Sequence, residues 1–281
     1  MTVSHNSNTT RAGSAWKKTV ETEHEQSDRI REEAASDDFW RPMAHRFVPP
    51  KRGEAAPDDT VERLAGLIPS SGTVLDVGAG GGRLAIPLAE SFTSVTAVEP
   101  SEAMREQLVA TAAAWDVTNV KLVAGAWEEV EVEPHDLVIC AHVVYTVREI
   151  EYFVNKLTAH ARQRVALIVF QKPAMAPYLP LWPMVHGEER IALPTLPEIE
   201  QLLPQMGIEY RKIPLQERAS GSFKSREQAF DECMARLFVT PDSKKSTNLS
   251  EALDECLVEI DGGYRFKWAE PHRPHIVSWD V

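Results

Sequence analysis

Cysteine is scarce in this sequence of 281 residues, which contains only Cys140, Cys233 and Cys256. An odd number of widely spaced cysteines disfavours both a disulfide framework and a zinc ribbon. The pattern is typical of a protein that keeps its thiols reduced. We therefore expect a cytoplasmic protein that has no structural metal.

Basic residues are outnumbered as well. The chain has 30 lysines and arginines against 42 aspartates and glutamates, which gives a formal net charge of −12. Proteins that bind nucleic acid gain much of their affinity by neutralising phosphates. The acidic balance therefore predicts no nucleic-acid partner.

Long apolar runs are also missing. A membrane-spanning helix needs about 20 apolar residues, whereas the most apolar stretch, residues 137–147, is short and contains His142. The first ten residues, MTVSHNSNTT, lack the charged and apolar segments of a signal peptide. We expect no membrane partner.

Strand and helix patterns alternate through the middle of the chain. Short apolar runs typical of buried strands are separated by segments whose apolar residues recur every three or four positions, as in amphipathic helices. Strands that are continuously apolar indicate a parallel sheet covered on both faces. We therefore predict an α/β fold: a Rossmann-like, doubly wound, mostly parallel seven-stranded sheet with an N-terminal helical cap and C-terminal insertions. The predicted strands are residues 73–77, 95–99, 120–124, 137–141, 165–170, 208–216 and 276–279.

The segments outside this alternating core have a different residue pattern. Residues 1–15 are polar and predicted to be disordered, and residues 16–47 are predicted to be helical. Near the other end, an apolar stripe predicts a single helix that contains Leu249, Leu253, Leu257 and Ile260. The expected division is a tail and helical cap over 1–57 and one domain over 58–281, with its core at 70–171 and substrate-region elements at 172–206 and 219–265.

A strand followed by glycines carries the clearest functional signal. Residues 74–83, VLDVGAGGGR, run from a buried strand into a glycine-rich turn. Glycines allow a sharp turn and the close approach of a ligand to the backbone. A dinucleotide site is one alternative, because Gly80, Gly82 and Ala85 fit the pattern G-x-G-x-x-A. Asp76 disfavours it, since a carboxylate at the strand end repels a pyrophosphate and attracts an ammonium group.

The second predicted strand also ends in an acid, Glu99. A carboxylate at this position can accept hydrogen bonds from both hydroxyls of a ribose. Together the two acids and the glycines suit a nucleoside that carries an amino-acid tail and no phosphate. S-adenosylmethionine (SAM) has this chemistry and is the predicted cofactor.

Three motifs extend this interpretation. The stretches VLDVGAGGGRLAIPLA, VTAVEPSEAMREQL and DLVICAHVVYTV resemble, in this order and spacing, the first motif, the second motif and the strand-four motif of class I SAM-dependent methyltransferases. The resemblance covers residues 70–171, and the flanking segments match the small-molecule branch of the family loosely. It implies an enzyme that transfers a methyl group from SAM to a small organic acceptor, as a monomer or homodimer.

The resemblance also implies which residues contact SAM. The strand-end acid and the first glycines would hold the methionine part, and Glu99 would bind the ribose. Residues after the second and third strands would contact adenine, with Trp127 stacking on the ring, although Trp127 equally suits an ordinary core position. The implied cofactor contacts are Asp76, Gly78, Gly80, Gly82, Glu99, Pro100, Met104, Ala126, Trp127 and Ala141.

His142 follows the fourth strand, where the resemblance places the sulfonium and the acceptor. Methyl transfer is an in-line displacement, and a base helps only if the acceptor must lose a proton. His142 is therefore expected either to remove that proton or to orient the acceptor, with Tyr145 nearby. Both residues also suit a structural role.

Motifs that are missing after this strand narrow the acceptor. The chain lacks the Asn/Asp-Pro-Pro-aromatic run of enzymes that methylate base nitrogens and the Pro-Cys pair of cytosine-C5 enzymes. It also lacks the strand-four acids that hold a metal in catechol-type enzymes. A small organic acceptor without a metal is the interpretation that remains.

Aromatic residues outside the core are the candidates for an acceptor pocket, or alternatively form the core of the cap. Two alternative functions stay open: an RNA or protein methyltransferase, and a non-catalytic SAM-binding regulatory protein. A nicotinamide oxidoreductase is disfavoured by the strand-end acid. The candidate acceptor residues are Phe39, Trp40, Tyr178, Trp182 and His186.

Overall fold

Two β-sheets organise the protein, and the computed structural model describes residues 9–31, 38, 40–54 and 59–281. The larger sheet has seven strands and the smaller has three. The strands are β1 (Thr73–Val77), β2 (Ser94–Glu99), β3 (Val120–Ala124), β4 (His135–Ala141), β5 (Ala161–Phe170), β6 (Arg211–Pro214), β7 (Ser222–Phe223), β8 (Leu257–Ile260), β9 (Gly263–Phe266) and β10 (Pro274–Asp280).

The large sheet has the strand order β3-β2-β1-β4-β5-β10-β6. Strands β1 to β5 pair in parallel, and β10 lies antiparallel between β5 and β6. This arrangement confirms the predicted doubly wound, seven-stranded sheet. The strand order reverses direction between β1 and β4, and ligands of open α/β sheets bind beyond the carboxyl ends of the strands at such a point.

Helices cover both faces of the large sheet. One apolar cluster joins α1, α5 and α7 to one face, and a second joins α2, α3 and α4 to the other. Among the described residues, no helix combines the length and the apolar character that crossing a bilayer requires. The helices are α1 (Arg11–Ile30), α2 (Thr60–Ala65), α3 (Ala85–Ala89), α4 (Glu102–Ala114), α5 (Ile150–Ala159), α6 (Trp182–His186), α7 (Leu196–Gln205), α8 (Arg226–Arg236) and α9 (Lys244–Cys256).

The N-terminal helix differs from its prediction at both ends. The Thr10 hydroxyl accepts a hydrogen bond from the Gly13 amide at 2.9 Å, and this cap starts α1 at Arg11. The predicted disorder was therefore wrong for residues 11–15, whereas residues 1–8 lie outside the described part. Helix α1 ends at Ile30, and among the described residues of the predicted helical segment a short 3-10 helix, Arg41–Phe47, follows.

Helix α1 contributes to the core of the domain. Trp16 and Val20 are buried in the same cluster as residues of α5 and α7. The Trp16 indole also donates a hydrogen bond to the Val147 carbonyl at 2.8 Å. The N-terminal helix is therefore an integral part of the fold.

The chain between β6 and β10 forms a separate layer built from α8, α9 and the sheet β7-β9-β8. The prediction of one helix through Ile260 was wrong, because α9 ends at Cys256 and the next four residues form β8. Strands β8 and β9 are joined by a tight hairpin at Asp261 and Gly262. A third apolar cluster lies between α6, α8 and α9 and contains Trp182.

Candidate functional site

The glycine turn lies at the carboxyl end of β1. Gly78, Gly80 and Gly82 have φ angles of 74°, 57° and 86°, a region that favours glycine. At Gly78 space is limiting as well, because a Cβ there would lie 2.3 Å from Cγ2 of Val143. The turn after β1 and the turn after β4 therefore approach each other closely.

Asp76 is buried at the end of β1, with 1% of its surface exposed. Neither oxygen of its carboxylate has a hydrogen-bond partner among the described residues. Burial raises the pKa of this group to about 7, and the charge of Glu99 reinforces this effect. The charge of Arg83 and the nearby backbone amide of Ala85 partly offset it. An unpartnered buried carboxylate is costly, so this position calls for a cationic ligand.

Glu99 is buried at the end of β2, but its carboxylate is well supported. One oxygen accepts a hydrogen bond from the Gly80 amide at 2.8 Å, and the other accepts one from the Ser101 amide at 2.9 Å. Burial raises the pKa of this carboxyl group, and the two amides act in the opposite direction. Each carboxylate oxygen has a second lone pair, so the group can still accept hydrogen bonds from two hydroxyls.

A cavity of about 570 Å³ opens beside the glycine turn. Four predicted cofactor residues line it, and they come from the turns after β1, β2 and β3. Its remaining lining comes from these strands, the turn after β4 and the start of α5. The four predicted residues are Gly78, Pro100, Ala126 and Trp127.

The other predicted cofactor residues are not part of the cavity lining. Asp76 is the penultimate residue of β1 and Ala141 is the last residue of β4, and the Gly80 amide is hydrogen-bonded to Glu99. A Cβ on Gly82 would approach Cγ1 of Ile86 to 2.8 Å, so this glycine allows close packing of α3. Met104 is buried in a small cluster with Ala44, Ala103 and Phe47.

Trp127 takes part in both the cavity wall and the core. Its side chain is 3% exposed, and the His160 ring meets it edge-on at a centroid distance of 4.9 Å. The Lys156 side-chain nitrogen lies 4.8 Å from the centroid of the indole ring. Stacking of Trp127 on adenine stays a prediction.

His142 and Tyr145 form a hydrogen-bonded pair just beyond β4. The Tyr145 hydroxyl lies 2.9 Å from Nδ1 of His142 and accepts a hydrogen bond from the Phe170 amide, also at 2.9 Å. Burial raises the pKa of Tyr145 well above its ordinary value, so the hydroxyl remains protonated. The His142 ring stacks on Phe170 with centroids 4.2 Å apart, and its backbone has a left-handed φ of 61°.

The N-terminal segment covers the glycine turn from outside. The Asp38 carboxylate accepts hydrogen bonds from the Ala103 amide at 3.0 Å and from the Ser101 hydroxyl at 2.9 Å. Trp40, which is 40% exposed, packs edge-on against Phe47 with ring centroids 5.4 Å apart. The carbonyl of Phe47 would lie 2.9 Å from a Cβ on Gly81. Phe39, the other predicted acceptor residue here, lies outside the described residues.

The three remaining candidate acceptor residues do not line the 570 Å³ cavity. Tyr178 and Trp182 belong to the third apolar cluster, and the His186 ring lies 4.4 Å from that of Trp182. The Tyr178 hydroxyl donates a hydrogen bond to the Glu232 carboxylate at 2.6 Å. Trp182 is fully buried, and Nε2 of His186 lies 2.9 Å from the Leu237 carbonyl. Their contact with an acceptor stays a prediction.

A family model described as a methyltransferase domain matches residues 46–213, more than half of the chain. The chain belongs to this methyltransferase family. Its membership confirms the predicted SAM-dependent methyltransferase class and SAM as the cofactor. A structure of YcgJ from Bacillus subtilis shares the fold: it aligns over 78% of this chain and 98% of its own, with a TM-score of 0.53 at 16% identity.

Curated relatives of the family align over part of the chain. A ubiquinone biosynthesis O-methyltransferase from Rickettsia canadensis is 28% identical over 153 residues, which cover 50% of this chain and 64% of the relative. A probable ribosomal RNA small subunit methyltransferase A from Pyrobaculum aerophilum is 37% identical over 86 residues, which cover 31% of this chain and 36% of the relative. The chain thus spans less than two thirds of each relative.

The methyltransferase site fits SAM on three observations. The unpartnered carboxylate of Asp76 suits the ammonium of the methionine part. Glu99 retains lone pairs for the ribose hydroxyls, and the cavity lining includes apolar residues such as Val77, Val98 and Pro100 that suit a purine. The sequence interpretation did not find Lys156 or Phe170. A lysine among the apolar residues of α5 was the signal that could have revealed the first of them.

Proposed function

We propose that this chain transfers the methyl group of SAM to a small organic acceptor. The observation that carries the proposal is the buried, unpartnered carboxylate of Asp76 beside a cavity lined by the turns after β1, β2 and β3. When bound, SAM supplies an electrophilic methyl group on a sulfonium whose thioether is a ready leaving group. The residues of the chain then align the acceptor and exclude water.

Three groups of residues hold the cofactor in this proposal. Asp76 binds the ammonium, and the carboxylate of Glu99 accepts hydrogen bonds from the ribose hydroxyls. The turn at Gly78 and Gly80 passes beneath the methionine part without a Cβ in the way. Pro100 and the turn at residues 125–128 contact the purine.

Tyr145 determines which nitrogen of His142 carries the proton. The Tyr145 hydroxyl already accepts the Phe170 amide hydrogen, so its own proton is best donated to the neighbouring Nδ1 of His142. A neutral His142 ring then carries its proton on Nε2. In this state the ring offers a hydrogen-bond donor, which favours orienting the acceptor over removing a proton from it.

A small acceptor suits the surroundings of this histidine. The face of the His142 ring packs against Phe170, and the His272 ring meets Phe170 edge-on at 5.5 Å. These rings lie near the carboxyl ends of β4 and β5. The formal charge of −12 disfavours an RNA acceptor, and a cytoplasmic location and a monomer or homodimer stay predictions.

The first test is calorimetric titration of the full chain with SAM, S-adenosylhomocysteine and NADPH. We expect the first two to bind and NADPH not to bind. Absence of binding by both sulfur nucleosides would reject the proposal.

The second test is turnover, measured as S-adenosylhomocysteine formed from SAM. Small phenols are tried first, because the Rickettsia relative is named an O-methyltransferase, followed by amines, thiols and a ribosomal RNA fragment. Turnover of a small acceptor supports the proposal. Turnover of RNA alone would establish a macromolecular methyltransferase, and tight SAM binding without turnover of any acceptor would favour a regulatory protein.

A further inference from the structure

Lys156 is buried on the inner face of α5. Its side chain is 7% exposed, and its neighbours Phe153, Val154 and Leu157 belong to the core. A buried amine must satisfy its hydrogens with acceptors, because desolvation of an unsatisfied amine is costly. The contacts of Lys156 therefore show what it is placed to hold.

Those contacts are backbone carbonyls of the turn that follows β3. The Lys156 nitrogen lies 2.8 Å from the Trp127 carbonyl oxygen and 2.7 Å from that of Val130, with the Glu128 carbonyl at 3.5 Å. The carboxylate of Glu131 is 3.9 Å away but 89% exposed, so it adds little. One amine thus contacts three backbone carbonyls of a single turn.

This contact determines where the amides of the turn point. In a trans peptide, the N–H of a residue points opposite to the carbonyl of the residue before it. Because the Trp127 carbonyl faces Lys156, the Glu128 amide points away from Lys156. Glu128 lines the 570 Å³ cavity together with Ala126 and Trp127.

We propose that Lys156 is a positioning residue for the purine of the cofactor: by holding the Trp127 carbonyl, it presents the Glu128 amide to N1 of adenine. The inference rests on the proposed function, since it requires that the cavity bind SAM. A fixed donor at this place selects adenine, because N1 of adenine accepts a hydrogen bond whereas N1 of hypoxanthine carries a hydrogen.

The test compares two ligands that differ at this edge of the base, S-adenosylhomocysteine and S-inosylhomocysteine. Their dissociation constants are measured calorimetrically for the wild type, Lys156→Met and Lys156→Gln. Thr158→Val is the matched control: it is on the same helix, and it loses the 3.1 Å hydrogen bond from the Trp279 indole.

We expect the wild type and the control to prefer the adenine ligand by about tenfold, the size of one well-placed hydrogen bond. Lys156→Met should lose most of this preference, whereas Lys156→Gln, which keeps a donor, should retain part of it and serves if the methionine variant does not fold. A merely structural lysine would weaken both ligands equally.

An unchanged preference in the lysine variants, or equal binding of the two ligands by the wild type, would overturn this inference alone. If the wild type bound neither ligand, the proposed function would fail, and the inference would fail with it. The ratio of the two constants therefore separates the two failures.

Discussion

Arg190 and Glu23 form an ion pair that is almost fully buried, although 167 positions separate them in the sequence. The Arg190 guanidinium also donates hydrogen bonds to the Gln26 amide oxygen at 3.0 Å and the Ser27 hydroxyl at 2.7 Å. The Cζ atom of Arg190 lies over the Trp182 ring, 4.2 Å from the ring centroid. This pair connects α1 to the segment between α6 and α7.

Breaking that pair should destabilise the protein strongly. Arg190→Ala leaves the carboxylate of Glu23 buried without its partner, which costs about 3–5 kcal/mol. Arg29→Ala is the matched control, because its pair with Glu188 is exposed and should contribute little to stability. Urea unfolding measures both, and equal losses in the two variants would contradict the assigned importance of the buried pair.

The carboxyl group of Asp76 should make stability depend on pH. Burial raises its pKa from 3.8 to about 7, so between these values the folded state binds more protons than the unfolded chain. The contribution of this group to the free energy of unfolding is therefore highest at low pH and falls as the pH rises from about 4 to about 7. Asp76→Asn should consequently gain stability relative to the wild type by up to about 4 kcal/mol between pH 4 and pH 8.

The same substitution should weaken cofactor binding. Loss of a charged hydrogen-bond acceptor for the ammonium predicts a 10- to 100-fold higher dissociation constant for S-adenosylhomocysteine at pH 8, or about 1.5–3 kcal/mol. Calorimetry checks this change, with the exposed Asp116→Asn as the control. A variant that was more stable at pH 8 but bound the ligand with wild-type affinity would show that Asp76 does not contact it.

The left-handed backbone of His142 predicts an unusual order of stability. Its φ of 61° suits glycine better than alanine, so His142→Gly should be more stable than His142→Ala by about 1 kcal/mol. Both variants lose the ring that orients the acceptor, and turnover should fall in both. Thermal unfolding and initial rates test the two statements separately, and wild-type turnover by His142→Ala would remove this residue from the mechanism.

Substitution of Asp38 tests the role of the N-terminal segment that covers the glycine turn more specifically than deletion of residues 1–47 does. Such a deletion would also remove Trp16 and Val20 from the core. Asp38→Ala leaves that core intact and removes the hydrogen bonds that the carboxylate accepts from Ser101, Ala103 and Trp40, each with a net value of about 1 kcal/mol.

For Asp38→Ala we expect faster tryptic cleavage after Arg46 and a lower kcat, with a modest change in S-adenosylhomocysteine affinity. Arg41→Gln is the control, since it removes only exposed ion pairs with Glu102 and Glu106. Unchanged cleavage and turnover in Asp38→Ala would show that this cover plays no part in the reaction.

The large sheet could be predicted because its signals are local. Each parallel strand contains a short run rich in apolar residues, and Asp76 and Glu99 are the penultimate residue of β1 and the last residue of β2. Their joint position at one edge follows from the parallel order, since carboxyl ends of parallel strands share an edge. The sequence therefore predicts that the two acids share one edge of the sheet, whereas their contact with SAM stays a prediction.

The structure of the layer between β6 and β10 was harder to predict from the sequence, although the sequence contains one clear signal for a hairpin there. Asp261-Gly262 is a strong hairpin signal, and it joins β8 to β9 in the structure. The apolar stripe before it was extended one turn too far, because Leu257 and Ile260 also fit a helical spacing. The burial of Tyr178 against α8 depends on contacts distant in sequence, which no local pattern reveals.

The chain leaves the large sheet after β6 and returns to it beside the same point. The Leu215 amide donates to the Pro274 carbonyl at 3.0 Å, and Arg218 and His272 exchange two backbone hydrogen bonds of 2.8 Å. The backbone of the intervening segment therefore enters and leaves through a narrow two-stranded neck, while its helices pack against α6 in the third apolar cluster. An insertion that enters and leaves at one point can change in length without shifting the register of β6 and β10.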